Sequence, residues 1–302
     1  MLSELPALYS AEPWLFSGSI FVLGLVVGSF LNVVIYRLPI MLEREWKREA
    51  AELLREPGGP TAEPERFTLS YPRSACPACR TPIRIRDNVP VMSWLILRGR
   101  CAACRARIPA RYPIVELTTG ILSAWVAWRF GFGVSTLCAL LITWSLIALT
   151  GIDIDHQLLP DGITLLLMWA GLVASVLVGP MAGSSVPVSP TAAVLGAACG
   201  YSSLWLVFHL FKLVTGKEGM GYGDFKLYAA LGAWLGWKVL PLIILLSAAT
   251  GAVIGIGMVS LRGRDRAAPM PFGPYLAAAG WIVMMYGDSI VHGYLRASGV
   301  AQ

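Results

Sequence analysis

GIDIDHQLLPD, residues 151–161, interrupts apolar sequence that runs from Leu137 to Thr150 before it and from Ile163 to Val178 after it. Asp153, Asp155, His156 and Asp161 therefore stand where a hydrophobic run would otherwise continue. A carboxylate at the edge of a bilayer is costly and usually has a partner or a task. The reading of this stretch decides the fold: its flanks are membrane helices and its acids lie at a membrane surface.

The rest of the chain agrees. It is 302 residues long, 56% hydrophobic and 14% charged, with mean hydropathy +0.65. A soluble domain averages about 25% charged residues, so a large water-soluble core is excluded. Apolar runs that approach or reach the roughly 17–25 residues of a span fall near 14–36, 113–130, 134–152, 162–180, 190–214, 224–237, 239–261 and 270–292, the second, third and sixth of them short. The fold class is an all-α polytopic membrane protein of about eight transmembrane helices, with a cytoplasmic zinc-knuckle insert after the first. The first run is too long for a cleavable signal, lacks a basic leader and continues into SFLNVVIYRLP. The expected organisation is a first helix over 1–36, a cytoplasmic domain over 37–112, a membrane core over 113–292 and a tail over 293–302.

Basic residues set the orientation. Residues 37–111 carry 15 Lys/Arg, and Lys212, Lys217, Lys226, Arg262, Arg264 and Arg266 mark two further connections. Only Arg129, Lys238 and Arg296 fall on the alternate side. By the positive-inside rule the basic connections are cytoplasmic and both termini face outward. The net charge of +6 then needs no nucleic-acid partner, because anionic lipid accounts for it. The same holds for the arginines at 98, 100, 105, 107 and 111.

Within the insert, MLEREWKREAAELLR (41–55) has helical spacing, with Glu43–Lys47 and Arg48–Glu52 at i,i+4. EPGGPTAEPE (56–65) reads as a linker. CPAC (76–79) and CAAC (101–104) form two C-x-x-C pairs. Cys76, Cys79, Cys101 and Cys104 can present four thiolates to one tetrahedral ion, a closed and structural zinc site. Disulfides are the other option, and a reducing cytoplasm disfavours them. Cys138 and Cys199 fall in apolar runs and read as packing residues.

Six carboxylates lie in or at the ends of spans: Glu116, Asp153, Asp155, Asp161, Asp224 and Asp288. Topology puts Asp288 near the outer end and the others at the cytoplasmic side. Asp161 follows Pro160 and reads as a first-turn or N-cap residue. Asp155 and His156 fall on the water-facing turn. Asp224 follows Gly219, Gly221 and Gly223, which permit close approach of backbone or of a substrate strand. Neither H-E-x-x-H nor G-x-S-x-G occurs, so zincin and serine-hydrolase chemistry are poorly supported. Two aspartates from different spans at one membrane depth are the raw material of a dyad that shares a proton and activates water. A proton-coupled carrier would instead place carboxylates at mid-membrane and show internal repeats.

GSFLNVVIYRLP (28–39), the paired CPAC and CAAC, SWLILRGRC (93–101), RYPIVELTTG (111–120), DIDHQLLPD (153–161) and GYGDFKLYAALGAWLG (221–236) together resemble the bacterial type IV prepilin peptidase/N-methyltransferase family, of the GxGD intramembrane aspartyl protease type. The resemblance runs from residue 18 to about 285. It implies an inner-membrane protease acting at the cytoplasmic face. Its substrates would be type IV prepilins and type II secretion pseudopilins, cleaved after Gly and usually before Phe. The new N-terminus would then be methylated from S-adenosylmethionine; peptidase activity alone is the alternative. The family's spacing to its Leu-Pro motif implies Asp153 as the first catalytic aspartate and its G-x-G-D motif implies Asp224 as the second. The family's four zinc cysteines correspond to Cys76, Cys79, Cys101 and Cys104.

Overall fold

The computed structural model describes residues 9, 12–54, 66–180, 186–217, 219–262 and 270–297. The proposed linker at 56–65 and Arg264 and Arg266 lie outside the described residues. Each of the eight apolar runs is helical: α1 (Pro13–Leu53), α3 (Arg111–Phe130), α4 (Val134–His156), α5 (Asp161–Leu177), α6 (Pro190–Thr215), α7 (Tyr222–Leu235), α8 (Leu240–Arg262) and α9 (Gly273–Ala297), with a short α2 (Met92–Ile96) between α1 and α3. Among the described residues, α1, α4, α6 and the stretch Trp237–Met258 are long and apolar enough to cross a bilayer, and α5 is apolar but shorter.

One boundary differs clearly from the sequence reading. The first run was expected to end near residue 36, yet α1 continues without a break to Leu53, with Pro39 inside it. The i,i+4 pairs of the expected amphipathic segment are present, Lys47–Glu43 at 2.6 Å among them, so span and amphipathic stretch are one helix. The sixth run is short. Its 14 residues rise only about 21 Å, less than the roughly 30 Å of a hydrocarbon core. It ends where Gly236 adopts φ +80.

The chain divides into two compact units. In residues 18–124, α1 packs on α3 through glycines. A Cβ on Gly24 would meet Ser123 and one on Gly28 would meet the Glu116 backbone, both at 2.7 Å. Two polar residues of α1 reach out of the same face. Asn32 donates to the Tyr112 carbonyl (3.1 Å). Buried Arg37 donates to the carbonyls of Thr68 (2.9 Å) and Pro72 (2.7 Å). Glu116 accepts the Val91 N–H at 2.7 Å. Val91 is β-branched at φ 61, a conformation costing on the order of 1–3 kcal/mol, and the Glu116 hydrogen bond helps hold it there.

In the second unit, which includes residues 125–302, α7 is central. Every residue from Leu227 to Leu235 is buried, Phe225 and Trp234 with them. Helix α6 crosses it at glycine against glycine: a Cβ on Gly196 or on Gly232 would fall within the other's carbonyl. Helix α5 runs alongside, with Trp234 Nε1 donating to the Leu167 carbonyl (2.8 Å) and its ring against Gly171. Helix α9 returns antiparallel to α4, joined by Trp281 Nε1 donating to Thr143 Oγ1 (3.1 Å). Cys138 is buried as expected, whereas Cys199 lies exposed on α6; a helix that faces α7 with glycines turns its other side outward.

Candidate active site

Asp153 and Asp224 enter one site from two helices. Asp153 is in the last turn of α4, which stops because Gln157 takes the left-handed conformation (φ 51, ψ 42) and returns its N–H to the Asp153 carbonyl at 2.9 Å. The Asp153 side chain points inward and is 5% exposed. Its Oδ2 accepts the backbone N–H of Gly273, the first residue of α9, at 3.0 Å. A Cβ on Gly273 would stand 2.6 Å from that oxygen, so a larger residue there must displace the carboxylate.

Asp224 is in the first turn of α7 and is 6% exposed. Its backbone N–H donates to the Gly221 carbonyl (3.2 Å), closing the first turn of the helix. The two carboxylates are near enough for the charge of Asp153 to act on Asp224. Leu159 lies between their supports. Its side chain would collide with a Cβ on Gly223 (2.7 Å) and with one on Gly273 (3.1 Å). The three glycines of the G-x-G-x-G-D run thus separate. Gly219 makes room for the Phe211 ring and Gly223 for Leu159, whereas a Cβ on Gly221 would make only ordinary contact with Asp224 Oδ2 at 3.8 Å.

The remaining acids fall elsewhere. Asp155 and His156 are exposed in the last turn of α4, not on a connecting turn. Asp161 begins α5, with Pro160 at the N-cap, and holds Lys226 through both carboxylate oxygens at 2.7 Å. Asp288 is about 22 Å along α9 from Gly273. Glu116 serves the other unit through Val91. Sequence reasoning missed Gly273 and Lys226. The signals were there, a P-F-G-P run at 271–274 and the lysine two residues after Asp224, but neither reveals its partner without the fold.

The four cysteines of the insert form a second candidate site. Their sulfurs all lie within 4.8 Å of one another. Cys76 and Cys104 are 3.8 Å apart, the edge expected of a tetrahedron with Zn–S near about 2.3 Å and far beyond a disulfide. Two similar knuckles build it. Cys76 N–H goes to the Thr81 carbonyl (3.0 Å) and Cys101 N–H to the Ala106 carbonyl (2.8 Å). The residue after each second cysteine, Arg80 or Arg105, is left-handed (φ 57 and 62). Thr81, with its hydroxyl 3.2 Å from Cys79 Sγ, holds that thiol down to about 6. The set fits a metal ion bound through four thiolates.

Known proteins resemble the chain closely. It matches the Bacterial Peptidase A24 N-terminal domain over residues 22–130 and the Type IV leader peptidase family over residues 139–256. A prepilin leader peptidase/N-methyltransferase of Aeromonas salmonicida (strain A449) is 53% identical over 94% of this chain and 95% of its own length. Those of Pseudomonas putida and Pseudomonas aeruginosa are 56% and 52% identical, over 92% and 96% of the chain and 93% and 97% of their own lengths. No solved structure matches.

Proposed function

The chain belongs to the type IV leader peptidase family, and from that membership we propose that Asp153 and Asp224 cleave the leader of type IV prepilins and type II secretion pseudopilins. The new N-terminus is then methylated by the same protein. The observation that carries the assignment is the pairing of two buried carboxylates from α4 and α7 around Leu159 and Gly273.

The chemistry follows from the placement. In this reading the attacking water stands between the two carboxyls. One Asp153 oxygen is occupied by the Gly273 N–H, and the other takes a proton from the water as its oxygen bonds to the scissile carbonyl carbon. Asp224 carries the shared proton and gives it to the carbonyl oxygen. When the tetrahedral intermediate collapses, the C–N bond breaks, the leaving amine takes the proton from Asp153, and Asp224 recovers one from the hydroxyl.

S-adenosylmethionine is the methyl donor of this reading. The described residues form no β-strand on which a G-x-G-x-x-G nucleotide loop could be built, so no residue is assigned to the donor. Zinc on Cys76, Cys79, Cys101 and Cys104 is structural, since four thiolates leave it no open position. The protein sits in the bacterial inner membrane, with membrane lipid around its helices, the dyad facing the cytoplasm and no nucleic-acid partner.

The test is mass spectrometry of a prepilin incubated with the purified protein and S-adenosylmethionine, which reads leader loss and methylation together. Asp224→Asn is expected to abolish cleavage yet to methylate a pre-cleaved pilin, because a carboxylate dyad has no part in methyl transfer. Cleavage without a methyl group under every condition would leave a peptidase only.

A further inference from the structure

The active-site helix α7 is held at both ends against the same neighbour, and the two anchors differ in kind. At the far end Trp234 Nε1 donates to the Leu167 carbonyl and the indole packs on Gly171. At the near end, two residues beyond Asp224, Lys226 Nζ reaches both carboxylate oxygens of Asp161 at 2.7 Å. Leu159 also meets α7 there, against Gly223. That apolar contact limits how closely α7 approaches but says little about its rotation, because dispersion contacts are non-directional. A forked contact to both carboxylate oxygens is directional.

Direction matters here. One residue of helical slip turns a side chain by about 100° and moves it about 1.5 Å, whereas catalytic groups must be held to within about 0.5 Å. Asp161 follows Leu159 and Pro160 directly, on the segment that leaves α4 just after Asp153. The lysine therefore ties the helix of one catalytic aspartate to the chain segment of the other.

We infer that the Asp161–Lys226 ion pair is a positioning clamp that sets the rotation of α7 and so the aim of Asp224 at the shared water, an inference that rests on Asp153 and Asp224 being the dyad. The pair contributes to rate more than to stability. Its side chains are 58% and 26% exposed, and an ion pair that solvent reaches adds little to global stability. Misaim of a catalytic group costs far more in rate. This goes beyond the reading of Asp161 as a first-turn or N-cap residue.

The experiment measures leader cleavage of a purified prepilin by the full chain, with thermal unfolding of each variant followed in parallel. Asp161→Asn and Lys226→Met are each expected to lower kcat at least tenfold, with KM and Tm unchanged. The reversed pair, Asp161→Lys with Lys226→Asp, is expected to recover a large part of that loss. Lys226→Arg, which keeps the fork, is expected to stay near the parent rate and decides the matter if the reversed pair does not fold. Parent-like kcat in both single variants overturns the clamp, and so does loss of Tm in step with loss of rate. A folded reversed pair as slow as the single variants overturns it too. Asp153→Asn and Asp224→Asn serve as separate arms: if they cleave normally, the dyad itself is wrong, whatever the clamp variants do.

Discussion

The amide of Gly273 sits 3.0 Å from Asp153 Oδ2 and leaves no room for a side chain of its own. One short contact therefore orients the Asp153 carboxylate and favours glycine at the position that supports it. Gly273→Ala must push Asp153 or the start of α9 aside. A displacement near 1 Å costs about 100-fold in rate, so this variant should lose cleavage on that order. Single-turnover assays on a pre-bound prepilin check it; parent-like turnover would show that Asp153 needs no such support.

The carboxylates of the 153–161 segment should separate cleanly by substitution. Asp153→Asn, like Asp224→Asn, is expected to remove nearly all cleavage, because each removes one half of a proton-sharing pair. Asp155→Asn, exposed in the last turn of α4, is expected to keep most of it. A dead Asp155→Asn beside an active Asp153→Asn would reverse the assignment, and the assay is simple leader loss on a gel.

Metal in the insert should follow the protonation of its thiols. The purified protein is expected to hold about one zinc per chain, and Cys76→Ser or Cys101→Ser to lower that content. Thr81 holds Cys79 down to about 6. A depressed thiol favours the folded insert fully above its ordinary value near 9, and the benefit disappears as pH falls toward 6. Protons compete with the metal in the same direction. Thr81→Val should therefore raise the pH at which half the metal is lost. Metal analysis across pH 5–8 (~0.5 steps) reads this, and an unmoved midpoint would remove Thr81 from the account.

The crossing of α6 and α7 should tolerate no added methyl. Gly232→Ala places a Cβ inside the Gly196 carbonyl, and overpacking of this kind costs roughly 1–3 kcal/mol or more. Thermal unfolding is expected to fall by several degrees. Cleavage should fall with it, since α7 carries Asp224. An unchanged Tm would mean that the two helices can part without penalty.

Orientation is testable without any substrate. Reporter tags at residues 60 and 265 should read cytoplasm, and one at the C-terminus should read the outer side. A cytoplasmic C-terminus would mean that one of the apolar helices does not cross, and α7, at about 21 Å, is the first to suspect.

Much of this was legible in the residues alone. Hydrophobic runs near 20 residues define helices because a bilayer leaves the backbone no other partner, and all eight appear as helices, seven of them with bounds close to those read. Two C-x-x-C pairs announce a four-thiolate site because metal geometry is local and strict. The first helix ran past its expected end because nothing in the local sequence stops it at Tyr36: Pro39 is tolerated and the polar residues beyond it are good helix formers. Tertiary structure alone decided what each acid meets. Asp153, Asp155 and Asp161 lie within nine residues, yet one is buried on the Gly273 amide, one is exposed, and one grips Lys226. Local sequence could not separate them, since burial and partnership come from α7 and α9, whose residues arrive from 65 and more positions away. A carboxylate's chemistry is set by what surrounds it, and here its surroundings exist only once the helices have packed.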